Sequence, residues 1–206
     1  MDDQYFSDQA PASADPLRTL HLSVRGLDLD MRVSDRVFSG SRLDLGTRQL
    51  LAEAPGVPAS GTLLDLGCGW GPLAVAMARE SARGRVWAVD VNSRALDLAR
   101  RNAEANGVGD RVEVARAEEA LRRARTEGVR FDLIWSNPPV RVGKDAMHAM
   151  LTDWLGLLDE GGRAYLVVQR NLGADSLIAW LNGEGFPASK VASKKGYRII
   201  EVRPHP

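Results

Sequence analysis

The 206-residue sequence has a single cysteine, Cys68, and a formal net charge of zero. It also lacks any apolar run near the ~18 residues that a membrane helix needs, so no spanning segment is expected. A lone thiol excludes an internal disulfide framework and fits a reducing, cytoplasmic setting. The first residues, Met1-Asp2-Asp3-Gln4-Tyr5-Phe6-Ser7-Asp8, are acidic and without the apolar stretch of a signal peptide. Three histidines lie far apart with no Cys/His cluster beside them, so no metal site is expected. Balanced charge shows no broad basic footprint for nucleic acid in the totals. The first fifteen residues nevertheless hold four aspartates and no base, which leaves the remainder net basic.

What is present is a rhythm of strands and helices. Residues 1–16, rich in Ser, Ala, Asp and Pro, read as a flexible acidic lead-in to a single domain over 17–206. Leu20, Leu22 and Val24, then Leu27, Leu29 and Met31, alternate with period two around Arg25-Gly26. This predicts a β-hairpin extension within 17–40 that packs on the main body. A helix over 43–54 follows, stopped by Pro55-Gly56-Val57-Pro58. Strands are then expected at 62–66, 85–89, 111–115, 131–136 and 163–168. Helices are expected between them, at 72–82, 93–106, 118–126, 145–158 (ended by Gly161-Gly162) and 176–182. Two last strands, 190–192 and 198–203, flank the turn Lys194-Lys195-Gly196. Buried strands alternating with helices imply an α/β fold of three layers, with a mostly parallel sheet of seven strands ending in an antiparallel hairpin.

The first of the parallel strands runs into Asp65-Leu66-Gly67-Cys68-Gly69-Trp70-Gly71. Glycines there allow a sharp turn and a close approach of ligand to bare backbone. The next strand ends in Val89-Asp90, where an acid can accept hydrogen bonds from both ribose hydroxyls of an adenosine. Gly-x-Gly-x-Gly differs from the Gly-x-Gly-x-x-Gly that seats a pyrophosphate. Asp65 before it suits a cofactor with an α-amino group and a sulfonium charge. Cys68 and Trp70 read as packing residues.

A second loop, Ser136-Asn137-Pro138-Pro139, closes the apolar strand Phe131–Trp135 at the carboxyl end, where doubly wound sheets bind ligands. Asn137 precedes a proline and is extended. Pro138 and Pro139 fix φ and donate no N–H. One side-chain carbonyl and one rigid main-chain carbonyl can hold both hydrogens of an NH2 group. The nitrogen lone pair is thereby aimed at an electrophile, and its developing positive charge is stabilised.

Asp65-Leu-Gly-Cys-Gly together with Ser136-Asn-Pro-Pro resembles the Rossmann-like class I methyltransferases that use S-adenosylmethionine, and in particular the "methyltransferase small" domain. Val37-Phe38-Ser39, Leu43-Asp44-Leu45-Gly46-Thr47, Val140-Arg141-Val142-Gly143-Lys144 and Lys195-Gly196-Tyr197-Arg198 extend the likeness from about Tyr5 to Val202. The resemblance implies that Asp65, Gly67 and Gly69 line the methionine part of S-adenosylmethionine and that Asp90 takes the ribose. Cys68 and Val91, beside them, join the cofactor-binding set. It assigns the adenine amino group to Glu118, the carboxylate end to Gly46 and Thr47, and the target nitrogen to Asn137 with Pro138 and Pro139. The family includes ribosomal RNA guanine-N2 methyltransferases and free-standing relatives, and the Val140–Lys144 pattern is similar to the free-standing branch.

Many such relatives follow the two prolines with an aromatic residue that stacks on the substrate; here Val140 stands in that place. Val140, Arg141, Lys144, Lys194 and Lys195 are the candidate substrate contacts, set to meet an RNA backbone. The expected activity is methyl transfer to an exocyclic amino nitrogen, with guanine N2 of ribosomal RNA favoured. A protein amide or small-molecule amine is the alternative target. A nicotinamide-dependent oxidoreductase and a non-catalytic RNA-binding protein are the competing classes.

Overall fold

The computed structural model describes residues 17–34, 42–139 and 142–205. The lead-in 1–16, Val37-Phe38-Ser39, Val140 and Arg141 therefore lie outside the described residues. The order is β1 (Arg18–Val24), β2 (Leu27–Val33), α1 (Leu45–Glu53), β3 (Ser60–Leu66), α2 (Pro72–Glu80), β4 (Arg83–Asp90), α3 (Ser93–Ala105), β5 (Val112–Arg116), α4 (Ala117–Glu127), β6 (Phe131–Ser136), α5 (Lys144–Leu155), β7 (Leu158–Gln169), α6 (Ala174–Gly183), β8 (Ala188–Lys194) and β9 (Tyr197–Val202). A 3-10 turn at Arg170–Leu172 follows β7.

Seven strands form one sheet in the order β5-β4-β3-β6-β7-β9-β8. The first five in that row are parallel, while β9 runs antiparallel to both β7 and β8. Alternate residues of each strand feed two separate cores. Leu63, Val86, Leu133, Trp135 and Val167 face α1, α2, α3 and the N-terminal hairpin. Leu64, Val89, Ile134, Leu166 and Ile200 face α4, α5 and α6. Strands buried on both faces require near-continuous apolar runs, which is what Leu63–Leu66 and Leu133–Trp135 supply. The strand order reverses between β3 and β6, the switch point at which such sheets open a crevice.

The hairpin β1–β2 forms its own two-stranded sheet and docks as expected. Two wholly or largely buried amides, Asn102 on α3 and Asn106 at its C-cap, satisfy the outer edge of β2 as a neighbouring strand would. Asn102 accepts from Arg32 N (2.6 Å) and donates to Arg32 O (2.9 Å), while Asn106 accepts from Asp30 N (3.1 Å) and donates to Asp30 O (3.0 Å). Arg25, in the hairpin turn, donates to the carbonyls of Leu51 (2.8 Å) and Ala54 (2.9 Å) at the end of α1. It also pairs with Glu80 of α2 and lies 5.3 Å from the Trp135 ring centre.

One boundary differs from expectation. Gly161-Gly162 do not end the helix, because α5 stops at Gly156 and the two glycines lie inside β7. The ladder between β6 and β7 shifts register there, and a side chain at Gly162 would meet Phe131 O at 2.6 Å. The glycine pair thus marks a bulge, not a cap. The last hairpin turns on Lys195-Gly196 alone, and Lys194 belongs to β8.

Arg25→Ala removes a shared clamp and leaves Glu80 half-buried without its partner. Unfolding by urea should show a loss of about 2–4 kcal/mol, somewhat less than the about 3–5 kcal/mol of a fully buried pair that loses one member, because Glu80 is only partly buried.

Candidate active site

Leu66, at the end of β3, pairs with Val89 of β4 on one side and Ser136 of β6 on the other. The glycine loop, the Asp90 corner and the Asn-Pro-Pro loop therefore leave the sheet side by side. Short bonds fix them together. Gly67 N and Cys68 N both donate to Val89 O at 2.9 Å, and Ser136 Oγ donates to Leu66 O at 2.7 Å. Gly67 and Gly69 have φ of 76° and 54°, and a Cβ on either would meet no protein atom within 4 Å. Gly71 is different, since a Cβ there would lie 3.1 Å from Ala99 Cβ. The first two glycines keep space open for a ligand, and the third lets α3 pack close.

Asp90 closes β4 with both carboxylate oxygens engaged by loop amides, Oδ2 by Gly69 N and Oδ1 by Asn92 N, each at 2.9 Å. Each oxygen retains a second acceptor site. Burial raises its pKa, and the amides of Asn92, Gly69 and Val91 oppose that rise. Asp65 is wholly buried beneath the loop, where Oδ2 accepts from Ala74 N at 2.8 Å in the first turn of α2. Burial pushes its carboxyl up to about 8, with the Ala74 amide opposing and the charge of Asp90 adding to the shift. Its Oδ1 meets no hydrogen-bond donor among the described residues. The Cys68 thiol is held well above its ordinary value by burial and by both acids, which keeps it protonated and unreactive at neutral pH.

Asn137 is half-buried at the edge of a cleft of about 250 Å³. Its Nδ2 donates to Asp44 Oδ2 at 2.7 Å and to Thr47 Oγ1 at 3.1 Å. Asp44 is the N-cap of α1, and the same Oδ2 accepts from Thr47 N at 3.0 Å. Gly46 sits against this group: a Cβ on it would lie 3.0 Å from Asp44 Oδ2, 3.1 Å from Tyr197 Cε1 and 3.2 Å from Asn137 Oδ1. Pro139 O accepts from Val142 N at 3.1 Å.

Thr47, Gly67, Cys68, Gly69, Asp90, Val91, Asn137, Pro138 and Pro139 all line the cleft. Asp65 lies below its surface. Glu118 is exposed in the first turn of α4, one residue beyond Ala117, which does line it. Lys144 opens α5 and is exposed; Lys195 is exposed in the β8–β9 turn; Lys194 pairs with Glu53 of α1 at 2.7 Å. Gln169 and Tyr197, ladder partners at the ends of β7 and β9, also line the cleft, as does Leu172 in the turn that follows. None of these three was expected from the sequence as a site residue. Asp44 appeared there only as part of a motif. The Asp-x-x-Thr spacing of an N-cap was its one local signal.

Among the described residues lining the cleft, the charged side chains are Asp44 and Asp90, and none is basic. An acid-only lining of backbone amides, open glycine faces and apolar walls disfavours a pyrophosphate and favours a nucleoside bearing a cationic group. Among the described residues, no group of three or more His, Cys, Asp or Glu could hold a metal ion, and no helix is long and apolar enough to cross a membrane.

The profile of the methyltransferase small domain matches residues 28–201. The chain belongs to that family. Its relatives include the uncharacterized Bacillus subtilis protein YbxB, 31% identical over 98% of this chain and 99% of that protein. The ribosomal RNA small subunit methyltransferase C of Shewanella amazonensis is also 31% identical, over 92% of this chain and 53% of the relative. Among solved structures, a T. thermophilus 16S rRNA N2 methyltransferase in complex with AdoMet and guanosine superposes with a TM-score of 0.73 at 22% identity, covering 96% of this chain and 53% of that one. This methyltransferase small domain thus spans about half the length of the ribosomal RNA methyltransferases it matches, and nearly all of YbxB.

The buried acid of this methyltransferase small domain has a consequence for stability. A carboxyl whose folded pKa is raised favours the folded chain while protonated. That contribution is full below the ordinary value of 3.8 and is lost as pH rises toward about 8. Asp65→Asn keeps an acceptor for Ala74 N and has nothing to ionise. Thermal melts should therefore show the variant gaining on the wild type as pH rises from 5.5 to 8; a constant difference would contradict the buried-acid account.

Proposed function

We propose that this S-adenosylmethionine-dependent methyltransferase modifies an exocyclic amino nitrogen, with guanine N2 of ribosomal RNA as its substrate and the cytoplasm as its place of action. Residues 17–206 act as one catalytic domain, with 17–40 as its hairpin extension. The observation that carries the reading is the engagement of Asn137 through its NH2 end, which leaves Oδ1 as an acceptor beside an acid-only cleft. An acceptor there suits a target that donates, as an amino group does. The names of the relatives, ribosomal RNA methyltransferases, and of the structural neighbour solved with guanosine support the substrate.

The residues present fit the donor. Open faces at Gly67 and Gly69 and the acceptor sites of Asp90 match a ribose and an amino-acid end. Asp90 would take the ribose hydroxyls, Val91 and Ala117 would flank the adenine, and Thr47 with the glycine loop would hold the methionine part. Glu118, exposed next to Ala117, would meet the adenine amino group from outside. When bound, S-adenosylmethionine supplies a sulfonium methyl, which gains a bond to nitrogen as its carbon–sulfur bond breaks and that electron pair returns to sulfur.

The chain's own work is alignment. Asn137 Oδ1 and the ring-locked Pro138 carbonyl take one amino hydrogen each, Pro139 O being committed to Val142. The nitrogen lone pair is thereby turned toward the methyl, and positive charge on nitrogen develops against two carbonyl dipoles. The nitrogen then sheds its surplus proton to water. Lys144, Lys194 and Lys195, with Val140 and Arg141, would meet the RNA around the mouth.

Asn137→Ala should lower kcat by roughly 10²–10³ while S-adenosylhomocysteine binding stays within a few-fold, the pattern of a lost transition-state dipole. Asp90→Ala should weaken that binding instead. Mass spectrometry of nucleosides from ribosomal RNA, with and without the gene, tests the substrate. N2-methylguanosine that is unchanged by deletion would overturn it, and a methylated protein amide in its place would redirect the reading.

A further inference from the structure

We infer that Asp44 is a positioning residue that fixes which end of the Asn137 amide faces the target, so that this acid selects an amino group as substrate. The inference rests on the proposed function for its consequence, but its geometry stands independently. A primary amide can present either its carbonyl or its NH2 to the cleft, and the two choices select opposite partners. A side chain that only accepts hydrogen bonds can hold only the NH2 end. A carboxylate is such a group, and Asp44 Oδ2 lies 2.7 Å from Asn137 Nδ2, the short range of a charge-assisted bond. Thr47 Oγ1 takes the same NH2 group at 3.1 Å, so the two acceptors together occupy the donating end.

Asp44 is itself pinned. Its Oδ2 caps α1 through Thr47 N at 3.0 Å, and Gly46, buried between them, has no room for a side chain that would part the two groups. The residue stands 93 positions from Asn137 in the chain. Its negative charge also pushes electron density away toward the amide carbonyl, which strengthens Oδ1 as an acceptor for a nitrogen becoming cationic.

Asp44→Ser separates this role from a structural one. Serine caps helices as well as aspartate, so the start of α1 is kept. Its hydroxyl is uncharged and one bond shorter than the carboxylate, so it stays on Thr47 N and falls short of Asn137 Nδ2. The Asn137 amide is then left with Thr47 Oγ1, which donates or accepts equally well and holds neither end in preference. The expected result on in vitro transcribed ribosomal RNA is a fall in kcat of about 10²-fold, with S-adenosylhomocysteine affinity changed by less than about threefold. Added to Asn137→Ala, the substitution should cost nothing further, because it acts only through that amide. Unchanged kcat in Asp44→Ser, or an independent loss on the Asn137→Ala background, would overturn the inference.

A second measurement needs no substrate. In a 15N-labelled protein the Asn137 side-chain amide, assigned by its disappearance in Asn137→Ala, should show one proton shifted downfield by the carboxylate. That shift should collapse in Asp44→Ser. If it persists there, Asp44 does not orient the amide. A wild-type enzyme that binds S-adenosylhomocysteine yet leaves the transcript unmethylated would sink the substrate reading alone, and the amide spectrum would still decide on Asp44.

Discussion

Everything at the site depends on the register of one strand. Leu66 of β3 is matched to Val89 on one flank and Ser136 on the other, so three loops from distant parts of the chain begin at one level. A one-residue slip of β6 would carry Leu133 and Trp135 out of one core and into the other. The register is therefore held by burial on both faces of the sheet. The hydrogen bond from Ser136 Oγ to Leu66 O then adds a direct tie at the point where the strands end. Asp90 ties the third loop, since it accepts from Gly69 N across the gap. Rigid strand ends set the glycine loop, the acid and the amide before any ligand arrives, and such pre-organisation is where alignment catalysis obtains its rate.

The N-terminal hairpin belongs to the same argument, although it forms a separate sheet. Arg25 binds the carbonyls at the end of α1 and stands over Trp135, one residue before Ser136. The opposite end of α1 begins at Asp44, which holds Asn137. The helix is thus anchored at its C-terminus by the hairpin and at its N-terminus by the Asn-Pro-Pro loop. Asn102 extends the connection, because its amide binds both Arg32 O of β2 and Trp70 O of the glycine loop. The hairpin works as a brace that keeps α1 and the glycine loop at fixed distances from the amide.

How much of this was legible in the sequence follows from the range of each signal. Apolar strands ending in Asp65-Leu66-Gly67, Val89-Asp90 and Trp135-Ser136-Asn137 announce themselves locally, and their strand ends were placed to within a residue. The parallel sheet then brings them together without further information. The partnership of Asp44 with Asn137 has no local trace beyond a cap, because it depends on where α1 lies in space. Tyr197 and Gln169 reach the cleft only because β9 pairs antiparallel with β7, which alternation alone does not specify. Gly161-Gly162 misled for the opposite reason: a strong local stop signal was used for a bulge.

Charge explains why a chain with no net charge can still discriminate. Acids gathered this closely would repel one another if all were ionised, and burial resolves the conflict by holding the Asp65 proton up to about pH 8. The cleft surface then carries the two carboxylates of Asp44 and Asp90, with no basic residue among its described lining. Such a surface attracts a cation and repels phosphate. On the proposed reading it favours the sulfonium form of the cofactor over the neutral thioether left after transfer, so the attraction weakens as the reaction completes. The basic residues expected to meet RNA stand apart from this surface: Lys144 and Lys195 are exposed, and Lys194 is tied to Glu53. On that reading, phosphate would stay at the rim and only a neutral, hydrogen-bond-donating base edge would meet Asn137. The sorting of charge between rim and cleft would then do for the whole substrate what Asp44 is proposed to do for one amide.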